Sequence, residues 1–358
     1  MNIDWTKVNR ILVVRLRSIG DTVLSTASLV ALRRFLPEAR IDILLEDWVA
    51  PVLEGFNAVD NVIQIKGKNL SARLKTVREL RRNRYDVAFN LHGGTTATFF
   101  TFASGARYRV GFEDYQYNFL HNRLLSSSSD FWQKEFTHSA EQQLALLGFV
   151  GVPVSDKPKT RLAVTESAIN SIEAKLAKSA IRNSQSAIAL IHPAAAFDAK
   201  QWATENFARV AEFLQSKGFI TVAVATPKER EVLENLKQYS HAPISTFDDL
   251  TLPEITALAS KAKIFVGNDS GIAHLAAAVQ TPSVVIFGSS NINHWRPWTD
   301  APNEIVYAEK PCNHLTGEVR KGSENPKCIF CVEVEAVCDA IEKVLATGIS
   351  VDEKSLKS

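Results

Sequence analysis

The stretch FVGNDSGIAHLAAAVQTPSVVIFG, residues 265–288, decides the fold. A β-rich apolar run reaches Gly267, a small polar junction follows, and an Ala-rich helical pattern runs from Gly271 to Ala278. A second β-branched run, SVVIF, closes the stretch. Strand, short junction, helix and strand make the βαβ unit of a parallel sheet, whose buried strands read as continuous apolar runs. Capping that helix needs one of Asp269, Ser270 and Gly271, yet all three stand there, with His274 one turn on. Open α/β sheets gather ligands at such places, beyond strand carboxyl ends and against helix N-termini.

The alternation continues on both sides. RILVVRL leads to a helix from about Asp21 to Phe35, RIDILLE to a helix near Val49, and NVIQI to a basic helix over Ser71–Asn83. DVAFNL then ends at His92-Gly93-Gly94. The second half has AIALIHP, a helix Glu205–Ser216, ITVAVATP, a helix Lys228–Gln238, a helix Pro253–Ser260 and AKIFVGN before the opening stretch. This rhythm predicts an α/β protein of two doubly wound, Rossmann-like domains with a cleft between them. Gly, Pro and Lys cluster in GFVGVPVSDKPKTRLAV, residues 148–164, so the expected domains are 1–155 and 156–358. A last helix, Val334 to Leu345, precedes a polar tail expected to fray.

Composition narrows the function. With 358 residues and 46% hydrophobic content, the chain can bury two cores. Its net charge of +2 hides an asymmetry: residues 1–160 hold 21 Lys+Arg against 16 Asp+Glu, the remainder 20 against 23. That excludes a dedicated nucleic-acid binder and suits a first half that meets an anionic surface or substrate. MNIDWTKVNR lacks the apolar core of a secretory leader. Val87–Ala106 and Ser270–Trp295 carry no charge, but their His and Gly mark buried core rather than membrane spans. Four cysteines, all after residue 311, fit a reducing, cytoplasmic setting. Cys312, Cys328 and Cys331 supply a single C-x-x-C, short of a zinc framework, and Cys338 falls at helical spacing among apolar neighbours. No G-x-S-x-G, P-loop, G-x-G-x-x-G or H-E-x-x-H occurs, which disfavours hydrolase, NTPase, dehydrogenase and metalloprotease readings.

Three further junctions stand at strand ends. In RLRSIGDTVLSTASLVALRRF, residues 15–35, Ser18-Ile19-Gly20 make a turn and Asp21 falls at or near the helix N-cap. A carboxylate there serves as a cap or, aimed at a ligand, as a general base. HPAAAFDAKQWATENF, residues 192–207, carries Lys200 and Trp202 in a small-residue loop. Such a lysine is either solvated or reaches a phosphate as a point charge. ATPKERE places Glu229 at another helix start. Residues 66–84, KGKNLSARLKTVRELRRNR, hold eight Lys/Arg and one Glu, a solvated face or a contact for anions.

Together with YDVAFNLHGG, YRVGF and HSAEQQLALLGFVGVP, these stretches, in this order, resemble glycosyltransferase family 9, the ADP-heptose:lipopolysaccharide heptosyltransferases. The Asp-Ser-Gly-x-x-His of residues 269–274 is similar to the family's most specific signature, and His192-Pro193 with Lys200-x-Trp202 to another. The resemblance implies a GT-B fold, an acceptor site on the first domain and a nucleotide-sugar site on the second. It implies inverting transfer without a cofactor or a metal, with Asp21 as general base. Lys200, Glu229, Asp269, Ser270, Gly271, Ile272 and His274 are the implied donor residues. Gly20, Lys66, Lys68, Arg73 and His92 are the implied acceptor residues. The partners it implies are ADP-heptose or a related nucleotide-sugar and a lipid A-Kdo type lipopolysaccharide core, with peripheral contact at the inner membrane. Two other readings stay open here: the same fold with another donor for surface polysaccharide or protein glycosylation, and a non-catalytic nucleotide-sugar-binding protein.

Overall fold

The computed structural model describes residues 3–67, 69–179, 187–308 and 328–355, with side chains as far as 347. The chain divides into two compact units, Met1–Ala163 and Val164–Ser358, so residues 156–163 lie with the first.

Unit 1 runs β1 (Arg10–Val14), α1 (Ile19–Phe35), β2 (Arg40–Glu46), β3 (Asn61–Ile65), α2 (Leu70–Asn83), β4 (Val87–Asn90), α3 (Gly94–Ala103), β5 (Tyr108–Phe112), β6 (Arg123–Leu125), α4 (Ser128–Trp132) and α5 (Ser139–Phe149). Its six strands are all parallel in the order β3-β2-β1-β4-β5-β6, the Rossmann order with its reversal between β1 and β4. β1 is central and apolar throughout Ile11–Val14, which are wholly buried. Leu12 and Val14 face a core shared with Leu80 of α2 and with Ala97 and Phe100 of α3. The alternate residues point to the opposite face. The helix expected near Val49 is a single 3-10 turn, Ala50–Leu53, cut short around Pro51.

Unit 2 runs α6 (Glu166–Lys178), β7 (Ile188–His192), α7 (Thr204–Ser216), β8 (Ile220–Val224), α8 (Arg230–Tyr239), β9 (Ile244–Phe247), α9 (Leu252–Lys261), β10 (Ala262–Asn268), α10 (Gly271–Ala278), β11 (Ser283–Phe287), α11 (Ile292–Trp295), β12 (Asn303–Tyr307) and α12 (Val334–Ser355). The order β12-β11-β10-β7-β8-β9 repeats the Rossmann pattern, reversing between β7 and β10. Ile191, Ile264, Val266 and Ile286 form its core with Phe207, Leu214, Leu236 and Ile341. α12 continues past Leu345 to Ser355, where the tail was expected to fray.

Val87–Ala106 and Ser270–Trp295 thus become largely buried strands and helices, and no described helix is long and apolar enough to cross a membrane. Cys328 is buried and Cys338 packs partly buried on the unit 2 core, while Cys312 lies outside the described residues.

Candidate active site

In unit 1 the chain leaves β1 through Arg15 and turns at Ser18, a non-glycine residue at φ 75°. Such a backbone costs about 1–3 kcal/mol and persists only where the surroundings impose it. Helix α1 starts at Ile19, ahead of the expected Asp21, and its N-cap is Ser18. Ser18 Oγ accepts from the Asp21 amide (3.5 Å), and Ser18 O accepts from Thr22 N (3.1 Å) and Thr22 Oγ1 (2.8 Å). The Asp21 carboxylate is therefore released from capping. It pairs instead with Arg15 Nη2, the two side chains being 19% and 8% exposed.

Arg15 also donates from Nη1 to Leu91 O (2.5 Å), tying the end of β1 to the end of β4 at the reversal of strand order. Its Nε is buried with no partner among the described residues. After β4, Asn90 Oδ1 accepts from the amides of His92 (3.2 Å) and Gly93 (2.9 Å), and Tyr115 Oη donates to Asn90 O (3.3 Å). Gly93 has φ 72°, and a Cβ there would stand 3.0 Å from the Tyr115 ring. This holds the half-buried His92 beside Arg15 and Asp21. Burial, then the charge of Arg15, pushes the His92 imidazole down to about 4, so it is neutral at neutral pH. Its Nδ1 is buried without a partner among the described residues.

Gly20, Asp21 and His92 are thus brought together. Lys66 and Arg73 are not: both are exposed, on the β3–α2 side at the far edge of the sheet. Lys68 lies outside the described residues.

In unit 2 the ends of β7 and β10 lie side by side, Gly267 opposite His192. His192 Nδ1 donates to Val224 O (2.9 Å), fastening β7 to β8. The next loop is anchored by Trp202, fully buried, whose Nε1 donates to Val332 O (3.0 Å) and whose ring packs edge-on against Phe207. Asn268 receives the Trp202 amide at Oδ1 (3.1 Å) and donates from Nδ2 to Pro193 O (2.9 Å). Lys200 rides on the 3-10 turn Asp198–Lys200 and bonds Asp269 Oδ2 (2.9 Å), which also accepts from Ser290 Oγ (2.5 Å). Lys200 remains 29% exposed, whereas the Asp269 side chain is 7% exposed.

Asp269 does not cap α10; Ser270 holds the N-cap position. An N-cap serine ordinarily accepts from an amide in the first turn. Ser270 does not, and its Oγ is buried without a partner among the described residues. The N-terminus of α10 and Ser270 Oγ thus stand next in sequence to Asp269, which holds Lys200, and amides, a hydroxyl and an ammonium are the donor types that suit a phosphate. Ile272 and His274 are buried within the first turn and a half. Glu229 sits beyond β8, one strand away, and its Oε2 accepts from Thr226 N (2.9 Å) and Thr226 Oγ1 (2.8 Å) in a capping box.

Sequence reading missed Arg15, Asn268 and Ser290. The first two carried a signal, a polar side chain at the end of an apolar strand run. Ser290 carried none, since only the fold brings it to Asp269.

The chain matches the family model "Glycosyltransferase family 9 (heptosyltransferase)" over residues 73–323. It is 28% identical to lipopolysaccharide heptosyltransferase 3 of Escherichia coli over 281 residues, covering 74% of this chain and 78% of the relative. A family 9 glycosyltransferase from Veillonella parvula superposes with a TM-score of 0.83 at 19% identity, over 97% of this chain and 99% of that one. The E. coli heptosyltransferase WaaC, solved with ADP, superposes with a TM-score of 0.66 at 17% identity, over 83% and 93% of the two chains. With its paired Rossmann folds and a match spanning most of its length, this chain belongs to glycosyltransferase family 9 and is a glycosyltransferase of the heptosyltransferase type.

Proposed function

We propose that the enzyme transfers heptose from ADP-heptose to the inner core of a lipid A-Kdo type lipopolysaccharide, with inversion at the anomeric carbon. The observation that carries the donor half is the buried Ser270 hydroxyl at the head of α10, without a partner among the described residues and next to the Lys200–Asp269 pair. Charge grows on the leaving diphosphate as the glycosidic bond breaks. The amides of Ser270, Gly271 and Ile272, the Ser270 hydroxyl and Lys200 would receive it, as preorganised donors lower such barriers most. Asp269 then orients the lysine, which keeps two N–H groups for the phosphate. His274 lines the same end, and Glu229 uses its second carboxylate oxygen toward the nucleoside.

In unit 1, Asp21 is the general base. Arg15 fixes one carboxylate oxygen and leaves the other to take the acceptor hydroxyl's proton during attack. A neutral His92 accepts or donates a hydrogen bond to an acceptor sugar without adding charge beside that carboxylate. Gly20 allows close approach, and Lys66, Lys68 and Arg73 meet the acceptor's outlying anionic groups. An enzyme acting on a lipid-borne acceptor works at the cytoplasmic face of the inner membrane.

Product analysis after mixing the enzyme with ADP-heptose and truncated lipopolysaccharide tests this reading. An added heptose of inverted anomeric configuration supports it. Transfer only from a different nucleotide-sugar, or donor binding with no transfer to any core acceptor, overturns it.

A further inference from the structure

The carboxyl end of β2 carries two side chains that the proposed mechanism leaves unused. Three backbone bonds clamp it: Glu46 N donates to Leu16 O (2.6 Å), Asp47 N to Ile65 O (3.3 Å) and Val49 N to Glu46 O (3.2 Å). Val49 and Ala50 are buried, and the 3-10 turn Ala50–Leu53 lies against α1. Trp48 stands on this fixed turn 52% exposed, while the other five tryptophans are buried or half-buried. Its Nε1 donates to Glu46 Oε2 (2.8 Å), so the polar edge of the indole is satisfied and what it shows to solvent is π surface. Glu46 is half-buried, and its Oε1 has no bond among the described residues.

The position of the carboxylate and the chemistry of the indole point to the same ligand. In a Rossmann sheet the acid at the end of β2 borders the crevice beyond β1, where dinucleotide enzymes use it to accept from ribose hydroxyls. Unit 1 has that strand order and Glu46 has that position, one strand from Leu16 and the Arg15–Asp21 pair. The β1–α1 turn lacks G-x-G-x-x-G, so no dinucleotide accounts for the carboxylate. The weakly positive C–H groups on one face of a sugar ring fit the negative face of an indole. An indole held on a fixed turn loses little freedom in that contact. A carboxylate beside it accepts from adjacent hydroxyls and repels a sugar acid or a phosphate. Asp47, exposed next in the chain, adds to the repulsion. Arg17 beyond β1 and Lys66 beyond β3 are exposed and pair with neither acid among the described residues, so the negative charge stays in place.

We infer that Trp48 and Glu46 form an acceptor subsite for an uncharged sugar ring, the indole stacking on the ring and Glu46 accepting from its hydroxyls. Both are positioning residues that set acceptor specificity; the proton transfer stays with Asp21. β2 and β4 flank β1, so this subsite and His92 lie on opposite sides of the turn that carries Asp21. The core that such a site takes already ends in a neutral sugar, so an earlier glycosyl transfer onto the Kdo region must supply it. The inference rests on the reading of unit 1 as the acceptor side, and its binding test needs no donor.

The experiment is calorimetry of the full chain, without donor, comparing a dephosphorylated core oligosaccharide ending in heptose with a Kdo disaccharide. The heptose-ended oligosaccharide should bind at least about tenfold more tightly. Trp48→Ala should weaken that binding about tenfold or more, and Trp48→Phe should recover most of the loss. Glu46→Gln should cut the preference over the Kdo disaccharide about fivefold or more. All three variants should keep the parent circular dichroism and ADP affinity. In transfer assays the Trp48→Ala loss should fall on the acceptor KM, with kcat within about threefold of the parent. Equal or tighter binding of the Kdo disaccharide by the parent, or parent-like binding by Trp48→Ala, would overturn the inference. Loss of ADP affinity in Glu46→Gln would also overturn it, by placing a nucleotide in unit 1. Selective binding of the heptose-ended oligosaccharide without transfer from ADP-heptose would overturn the donor reading and support this one.

Discussion

Asp21, Arg15 and His92 show how little separates a cap from a catalytic group. Had α1 begun at Thr22, Asp21 would cap it; because Ser18 takes the cap at φ 75°, the carboxylate is left to Arg15 and to a ligand. His92 reports on the cluster. Its folded-state titration lies near 4 and its ordinary value is 6.5, so between these values the unfolded chain binds a proton that the folded chain refuses. The His92 contribution to stability is therefore complete above pH 6.5 and is lost as pH falls through about 4. Imidazole NMR should place the His92 midpoint near 4. Arg15→Gln should move it up, since that guanidinium opposes the imidazolium, and Asp21→Asn should move it down. A midpoint at the ordinary value in the parent protein would remove His92 from the cluster.

At the scale of elements, the donor site depends on how closely the Lys200 turn approaches β11. Gly288 makes that approach possible: a Cβ there would overlap the Ala199 carbonyl and stand 3.0 Å from Ile329 Cβ. Gly288→Ala should therefore displace the turn and weaken ADP binding about tenfold, a loss of about 1.4 kcal/mol. Gly148→Ala serves as control: its Cβ would crowd Phe131 and Val154 in unit 1, costing about 1–3 kcal/mol of stability through overpacking. It should lower the melting temperature and leave ADP affinity alone; calorimetry on both variants checks the contrast. The legibility of elements follows the same physics. Central strands such as β1, β7 and β10 are buried on both faces and stand out as unbroken apolar runs. β9 and β12, on the sheet edges, are mostly half-buried and mix polar with apolar residues, and β6 has three residues, so none showed in the sequence. The Asp-Ser-Gly junction was legible as the passage from β10 into α10. The use of Asp269 was not, because Lys200 and Ser290 reach it from 69 and 21 residues away.

At the scale of the whole molecule, each unit is a Rossmann sheet, and Asp21 and His92 in one and Lys200 and Asp269 in the other stand where the strand order reverses, while Lys66, Arg73 and Glu229 do not. The proposed division of labour follows: unit 1 holds the proton acceptor and unit 2 holds the nucleotide. Hydrogen exchange with saturating ADP should then slow amides around 193–203 and 269–273 and leave 15–22 and 90–94 unchanged. Protection in unit 1 with none in unit 2 would reverse the assignment. The family match fixes the enzyme class, while the roles of single residues rest on placement and chemistry. The most direct test is a paired measurement on Asp21→Asn, single-turnover transfer rate beside ADP affinity. A rate about 10²–10⁴-fold lower with affinity within about twofold of the parent is the predicted result, as expected for loss of a general base alone. A parent-like rate, or a rate that falls only in step with ADP affinity, would contradict the account.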